Sequence, residues 1–302
     1  MYTTGDPADR DVAPRGPGLV LMGGGAEVDA AFDWWVPLVA GGDVVVLRAS
    51  GADGYNDYLF EDIGGVDSVE TLMVDTRAEA DDAWVAERVR RAEGIFIAGG
   101  DQWDYARDWS GSALTAALAD AWARGAVLGG TSAGLAMLGE RAFTAERGTV
   151  TSAEALADPY DRDVTLGAGL VALAPLAGVV TDSHVRQRDR VGRLVAFVAR
   201  LATDGGGGAT PVGLGLDEET ALVIGPDGAG RVMGEGAVRV VTAPAAPEVC
   251  APGEALGWSA VAVVVYEDGD ELMFPGALGG GVASWFAAEG GALVAREAPP
   301  AD

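Results

Sequence analysis

Between Gly18 and Gly139, short continuous apolar runs alternate with stretches whose apolar residues recur at helical spacing. No other feature restricts the fold of this chain as strongly. Gly18-Leu-Val-Leu-Met22 and Asp43-Val-Val-Val-Leu47 have strand length and no polar alternation. Strands of that kind are buried on both faces, as in a parallel sheet covered by helices on each side. Val28 to Ala40, between them, has helical spacing. The alternation continues through a strand at Ser68 to Val74, a helix at Glu79 to Ala92 and a strand at Gly94 to Ala98. A helix at Ala113 to Arg124, a strand at Ala126 to Gly129 and a helix from Ala133 to Gly139 complete it. The pattern predicts a doubly wound α/β fold with a mostly parallel central sheet.

The last third changes character. Thr220 to Ile224, Arg231 to Met233, Ala237 to Thr242 and Ala260 to Tyr266 are strand-like, and Asp227-Gly228 and Asp268-Gly269 have the composition of hairpin turns. The glycine run Gly205 to Gly208 is expected to be a flexible loop between a helix ending near Arg200 and a strand starting at Val212. The expected organisation is a flexible tail over 1–17 and a single domain over 18–302. Its β-rich extension, about 220–302, continues antiparallel from the same domain.

Composition excludes several function classes. Of 302 residues, 46 are acidic and 20 basic, a net charge of −26 that repels phosphates and argues against nucleic-acid binding. All the basic residues are arginine; lysine is absent. That absence fits either high-GC coding drift or an acidic surface adapted to concentrated salt. One cysteine, Cys250, allows no internal disulfide, and one histidine leaves a Cys/His metal cluster without ligands. No metal and no cofactor is expected. No apolar run approaches the ~18 residues of a membrane span. Met1 to Pro17 is polar without an apolar export core, so a cytoplasmic location is expected of the chain as given.

The sharpest local signal is Gly129-Gly130-Thr131-Ser132-Ala133-Gly134, after a strand and before a helix. Small residues around Ser132 permit the tight turn that lifts a hydroxyl above a sheet, and the Ala133 N–H at the helix start would face a developing oxyanion. The ordinary alternative is a glycine-rich turn with a capping serine. A serine nucleophile needs a base, and the chain offers one imidazole, His184, at another strand exit. Arg186, Arg188, Arg190 and Arg193 come after it as the next helix begins. Basic residues oppose the dipole there, whereas guanidinium forks bind carboxylates, so a substrate carboxylate site is expected; surface ion pairing is the alternative. Asp217 and Glu218, at the end of the Gly213 to Leu216 strand, are candidates to hold the imidazole. Gly99 and Gly100 offer a second oxyanion amide, and Gln102 can hydrogen-bond a substrate amide.

The combination GGDQ, GGTSAG, D-x-H-x-x-x-R-x-R-x-x-R-L and G-x-G-x-D-E-x-T-A resembles the cyanophycinase branch of the S51 serine peptidases, over roughly 18 to 225. The resemblance implies a flavodoxin-like, three-layer αβα fold related to class I glutamine amidotransferases, and a homodimer. It implies hydrolysis of cyanophycin, a poly-aspartate carrying arginine on each β-carboxyl, to β-aspartyl-arginine dipeptides. It also implies Ser132 as nucleophile, His184 as base and Glu218 as the carboxylate that orients it. Gly100 and Ala133 would form the oxyanion hole, and Gln102, Asp182, Arg188, Arg190 and Arg193 would bind substrate. The family has glutamine where this chain has Ser183 and phenylalanine where it has Val185, which removes one polar substrate contact. An α-aspartyl dipeptidase of the same family and an inactive binding homologue are the alternatives. An α/β-hydrolase fits less well, because its acid precedes a distant histidine.

Overall fold

The computed structural model describes residues 1–205, 211–274 and 280–299. Its strands are β1 (Tyr2–Gly5), β2 (Gly18–Met22), β3 (Asp43–Arg48), β4 (Ser68–Met73), β5 (Gly94–Ile97) and β6 (Val127–Thr131). Next come β7 (Arg141–Phe143), β8 (Leu166–Ala168), β9 (Val179–Asp182), β10 (Val212–Leu216), β11 (Thr220–Ile224) and β12 (Ala229–Gly234). The last are β13 (Val238–Thr242), β14 (Trp258–Tyr266), β15 (Glu271–Met273), β16 (Val282–Glu289) and β17 (Ala292–Arg296).

They form two mixed sheets, ordered β1-β4-β3-β5-β6-β2-β11-β12-β15 and β17-β16-β14-β13-β10-β9-β7-β8. The expected mostly parallel sheet is therefore one part of a mixed architecture. Strands β4, β3, β5, β6 and β2 run parallel, while β1 and β11 add antiparallel on either side. Alternate residues of the parallel strands serve opposite faces, as strand geometry requires. Val20, Val44, Val46 and Phe96 pack with Phe32, Trp35 and Val39 of the helix Asp29–Val39. Leu19, Leu21, Val45, Leu47, Ile95 and Ile97 face the opposite layer, with Val89 of the helix Ala83–Arg91 and Leu118 of the helix Ala113–Arg124.

The C-terminal third pairs antiparallel and passes back and forth between the two sheets. Strands β11, β12 and β15 complete the first sheet, and β13, β14, β16 and β17 build the second. One apolar cluster joins them, containing Leu222, Ile224 and Val232 from the first sheet and Leu214, Val238, Val240 and Tyr266 from the second. On its other face the second sheet carries the helix Val191–Asp204, through Leu194, Phe197 and Val198 against Val180, Val241 and Val263.

Asp227-Gly228 does turn a hairpin, β11 to β12, closed by the Gly225 N–H on Ala229 O at 2.8 Å. Asp268-Gly269 does not. It links β14 to β15 across the sheets, held where Gly269 N–H donates to Val232 O (2.9 Å) and Asp268 accepts from Gly234 N–H (3.1 Å).

Four boundaries also move. The tail is not wholly irregular, because Tyr2–Gly5 pairs with β4 and covers the edge of the parallel run. The helix expected at Glu79 to Ala92 is two pieces, Arg77–Ala80 and Ala83–Arg91, since Asp82 caps the second through the Trp84 N–H. The helix after Ser132 stops at Ala136. The helix expected to end near Arg200 runs to Asp204 and closes on left-handed Gly205. The rest of the glycine run, 206–208, lies outside the described residues. Among the described residues no helix is long and apolar enough to cross a membrane.

Candidate active site

The carboxyl ends of β2, β5 and β6 in the first sheet meet those of β9 and β10 in the second. Ser132 leaves β6 at φ +52°, ψ −115°, a conformation that side-chain-bearing residues seldom adopt. Its N–H is anchored on Met22 O at 3.1 Å, and the chain turns at once into the helix Ala133–Ala136. That turn requires glycine at 134, where a Cβ would lie 2.1 Å from Ile97 O. The turn leaves the Ser132 hydroxyl 2.7 Å from His184 Nε2.

His184 comes just after β9, also at positive φ (+52°), with its N–H on Gly23 O at 3.0 Å. Its Nδ1 lies 2.7 Å from Glu218 Oε1, in the link between β10 and β11. Gln187 Oε1 accepts the Glu218 N–H at 3.1 Å, and Gly24 O accepts the Glu219 N–H at 2.8 Å. Burial pushes the imidazole below its ordinary pKa. The Glu218 hydrogen bond pulls the other way, and the positive charges of Arg188 and Arg190 add to the depression. The ring is therefore neutral at neutral pH, with Nε2 facing a hydroxyl and Nδ1 facing a carboxylate. This arrangement can take a proton from Ser132 and stabilise the imidazolium that results.

Around this relay, Gly99 lies against Ser132, where a Cβ would sit 3.3 Å from Ser132 Cβ. Among the described residues, neither the Gly100 N–H nor the Ala133 N–H has an acceptor. Gln102 commits its amide nitrogen to Phe143 O at 2.7 Å, which leaves its carbonyl oxygen available.

The arginine cluster divides, and this corrects the expectation of direct substrate contact for two residues. Arg193 is fully buried beside the stacked rings of Phe143 and Phe197, 5.0 and 5.8 Å from their centres. It grips buried Asp182 with two bonds of 2.6 and 2.7 Å, and its third nitrogen binds Thr149 Oγ1 (3.2 Å) and Val150 O (3.3 Å). Asp182 also accepts the Ser183 N–H at 2.9 Å. Both side chains are spent inside the protein. Arg190 is buried too, its guanidinium lowered to about 10 by desolvation, and donates to Ser183 O at 2.9 Å. The Arg186 N–H binds Asp217, which is itself buried and paired with Arg239. Arg188 is exposed and has no ion-pair partner among the described residues. Asp217 thus holds the loop, and Glu218 faces the imidazole.

The model of peptidase family S51 matches residues 56–230, more than half of the chain and all of the Ser132–His184–Glu218 relay. The chain belongs to peptidase family S51. It is 32% identical over 188 residues to a cyanophycinase of Synechococcus elongatus, covering 62% of this chain and 52% of that protein. A cyanophycinase of Trichormus variabilis is 30% identical over 186 residues, covering 61% and 56%. The chain thus spans about half the length of the curated relatives it matches. The crystal structure of a peptidase from an acI-B1 Actinobacterium covers 87% of this chain and 98% of its own at 16% identity, with a TM-score of 0.57, a likeness of fold.

In this S51 chain the loop after β2 contributes residues that the motifs did not single out. Gly24, at φ +99°, packs against the imidazole, and a Cβ there would meet His184 Cε1 at 2.3 Å. The Gly23 to Gly25 run at a strand's carboxyl end was the available signal. Glu27, on the same loop, gave none. Among the described residues no group of three His, Cys, Asp or Glu side chains could hold a metal ion.

Proposed function

We propose that this chain is a serine-type exopeptidase that hydrolyses cyanophycin or related β-aspartyl peptides and releases β-Asp-Arg-like dipeptides. The relay of two 2.7 Å contacts from Ser132 through His184 to Glu218 carries the reading. Ser132 Oγ attacks the amide carbonyl while His184 Nε2 takes its proton, and Glu218 stabilises the imidazolium at Nδ1. The proton passes to the leaving amine, and water then releases the acyl group by the reverse sequence. The free N–H groups of Gly100 and Ala133 are assigned to the oxyanion, where loss of one donor typically costs about 3 kcal/mol of barrier. Exposed Arg188, with Arg190 beneath it, is assigned to a substrate carboxylate. The names of the matched relatives support the substrate class. The parallel run β4-β3-β5-β6-β2, with helices packed on both of its faces, supports the three-layer αβα description of that half.

Mass spectrometry of products from cyanophycin and from α- and β-linked Asp-X dipeptides tests the reading. Release of β-Asp-Arg is expected. Cleavage of α-Asp-X alone would move the chain to the dipeptidase reading, and failure of a fluorophosphonate to label Ser132 would reject both.

Gly24→Ala is expected to lower kcat about 100-fold, because the methyl group must push the imidazole off the serine hydroxyl. Steady-state kinetics beside a thermal melt checks this. Wild-type kcat in a folded variant would remove Gly24 from the site.

A further inference from the structure

One titratable side chain outside the relay reaches the serine turn from the opposite wall. Glu27 ends the loop that leaves β2, and this loop supports the relay through Met22 O, Gly23 O and Gly24 O, which accept from Ser132, His184 and Glu219. Glu27 Oε1 accepts from the Tyr55 hydroxyl. Its Oε2 is buried without a partner at hydrogen-bond distance, and so is the hydroxyl of Thr131, the residue before Ser132. These two oxygens are neighbours. A neutral Glu27 can donate its own proton to Thr131 while keeping the Tyr55 bond.

We propose that Glu27 is a positioning residue that works as a neutral acid. Through Thr131 it braces the strained peptide at Ser132, and ionisation sets a negative charge next to the strand end that carries the nucleophile. Burial raises its carboxyl to about 7, against the opposing pull of the Tyr55 and Thr131 hydroxyls. The groups around it do not offset that burial. Tyr55 and Tyr58 face it from the segment after β3, and Asp29 lies at the start of the next helix. Arg48, at the end of β3, is spent on Ser50 O and Ala52 O. Across Gly24 and Gly25 stand His184, Glu218 and Glu219.

The inference rests on the serine-hydrolase reading, and the test separates the two. The rate of fluorophosphonate labelling of Ser132, and kcat and KM on a β-Asp-Arg peptide, would be followed from about pH 5 to pH 9. Glu27→Ala is expected to lower kcat and labelling about 10- to 100-fold at low pH with KM unchanged. Glu27→Gln, whose amide can donate to Thr131 and accept from Tyr55, is expected to rescue most of that loss. Wild type should lose activity as pH rises through about 7, and the Gln variant should not. Both should keep an acid limb below the ordinary histidine value, where His184 gains its proton. An Ala variant as fast as wild type, a Gln variant as slow as Ala, or the same alkaline loss in wild type and Gln would each overturn the inference. A carbon-13 titration of labelled glutamate, with Glu27 assigned by its absence in the Gln variant, decides independently of turnover. A midpoint near 7 supports the neutral acid, and one at the ordinary value of about 4.5 rejects it. If wild-type Ser132 neither labels nor turns over, the hydrolase reading fails while that titration still decides the state of Glu27.

Discussion

Ser132→Ala is expected to cut hydrolysis of a β-aspartyl substrate by about 10⁴-fold or more and to leave the melting temperature unchanged. Without Oγ no acyl-enzyme can form, and oxyanion donors alone supply only the residual rate. The backbone explains why the fold survives. At φ +52° and ψ −115°, alanine meets the same crowding as serine. Glycine does not, so Ser132→Gly should be equally inactive yet melt higher. Relief of about 1 kcal/mol of strain corresponds to about 2 °C in a chain of this length. Product analysis and thermal melts on the same preparations check both halves. Retained turnover in the Ala variant would sink the nucleophile assignment. A Gly variant melting no higher than Ala would show that the turn stores no strain.

The largest stability effect is expected from Arg193→Met. The substitution keeps packing volume beside the Phe143–Phe197 stack but removes the two-bond partner of buried Asp182, which keeps only the longer 3.7 Å contact to Arg190. Breaking a buried pair by removing one partner costs about 3–5 kcal/mol, and the melting temperature should fall by roughly 5–10 °C. Desolvation, rather than the loss of a substrate contact, drives the effect, which gives a further expectation. Asp182→Leu combined with Arg193→Met removes both charges and should recover part of the stability lost by the single variant. If Arg193→Met melts like wild type but raises KM, Arg193 serves substrate after all.

The parallel half was legible because β2, β3 and β5 are continuous apolar runs bounded by glycine, an acidic residue or a helix cap, with β4 interrupted by Glu70 and Thr71. The break at Asp81-Asp82 was readable in principle, since an aspartate inside a helical pattern doubles as the N-cap of a second helix. The division of the C-terminal strands between two sheets was not readable. Leu214 and Leu222 sit in equally apolar runs, and apolarity records burial without naming a neighbour. The meeting of Ser132 and His184 was foreseeable from two strand exits and a single imidazole. The fate of Arg193 was not, because a sequence shows a charge without showing whether it is buried. Phe143, 5.0 Å from its guanidinium, belongs to β7, about 50 residues earlier in the chain.

Ser132 stands on the first sheet, His184 on the second, and Glu218 on the link that returns from the second to the first. During synthesis, the first 140 or so residues emerge with the serine in place but no imidazole. The nascent chain therefore passes through a latent stage. The proposed relay can assemble only after His184 and Glu218 have been made and the ends of both sheets have met.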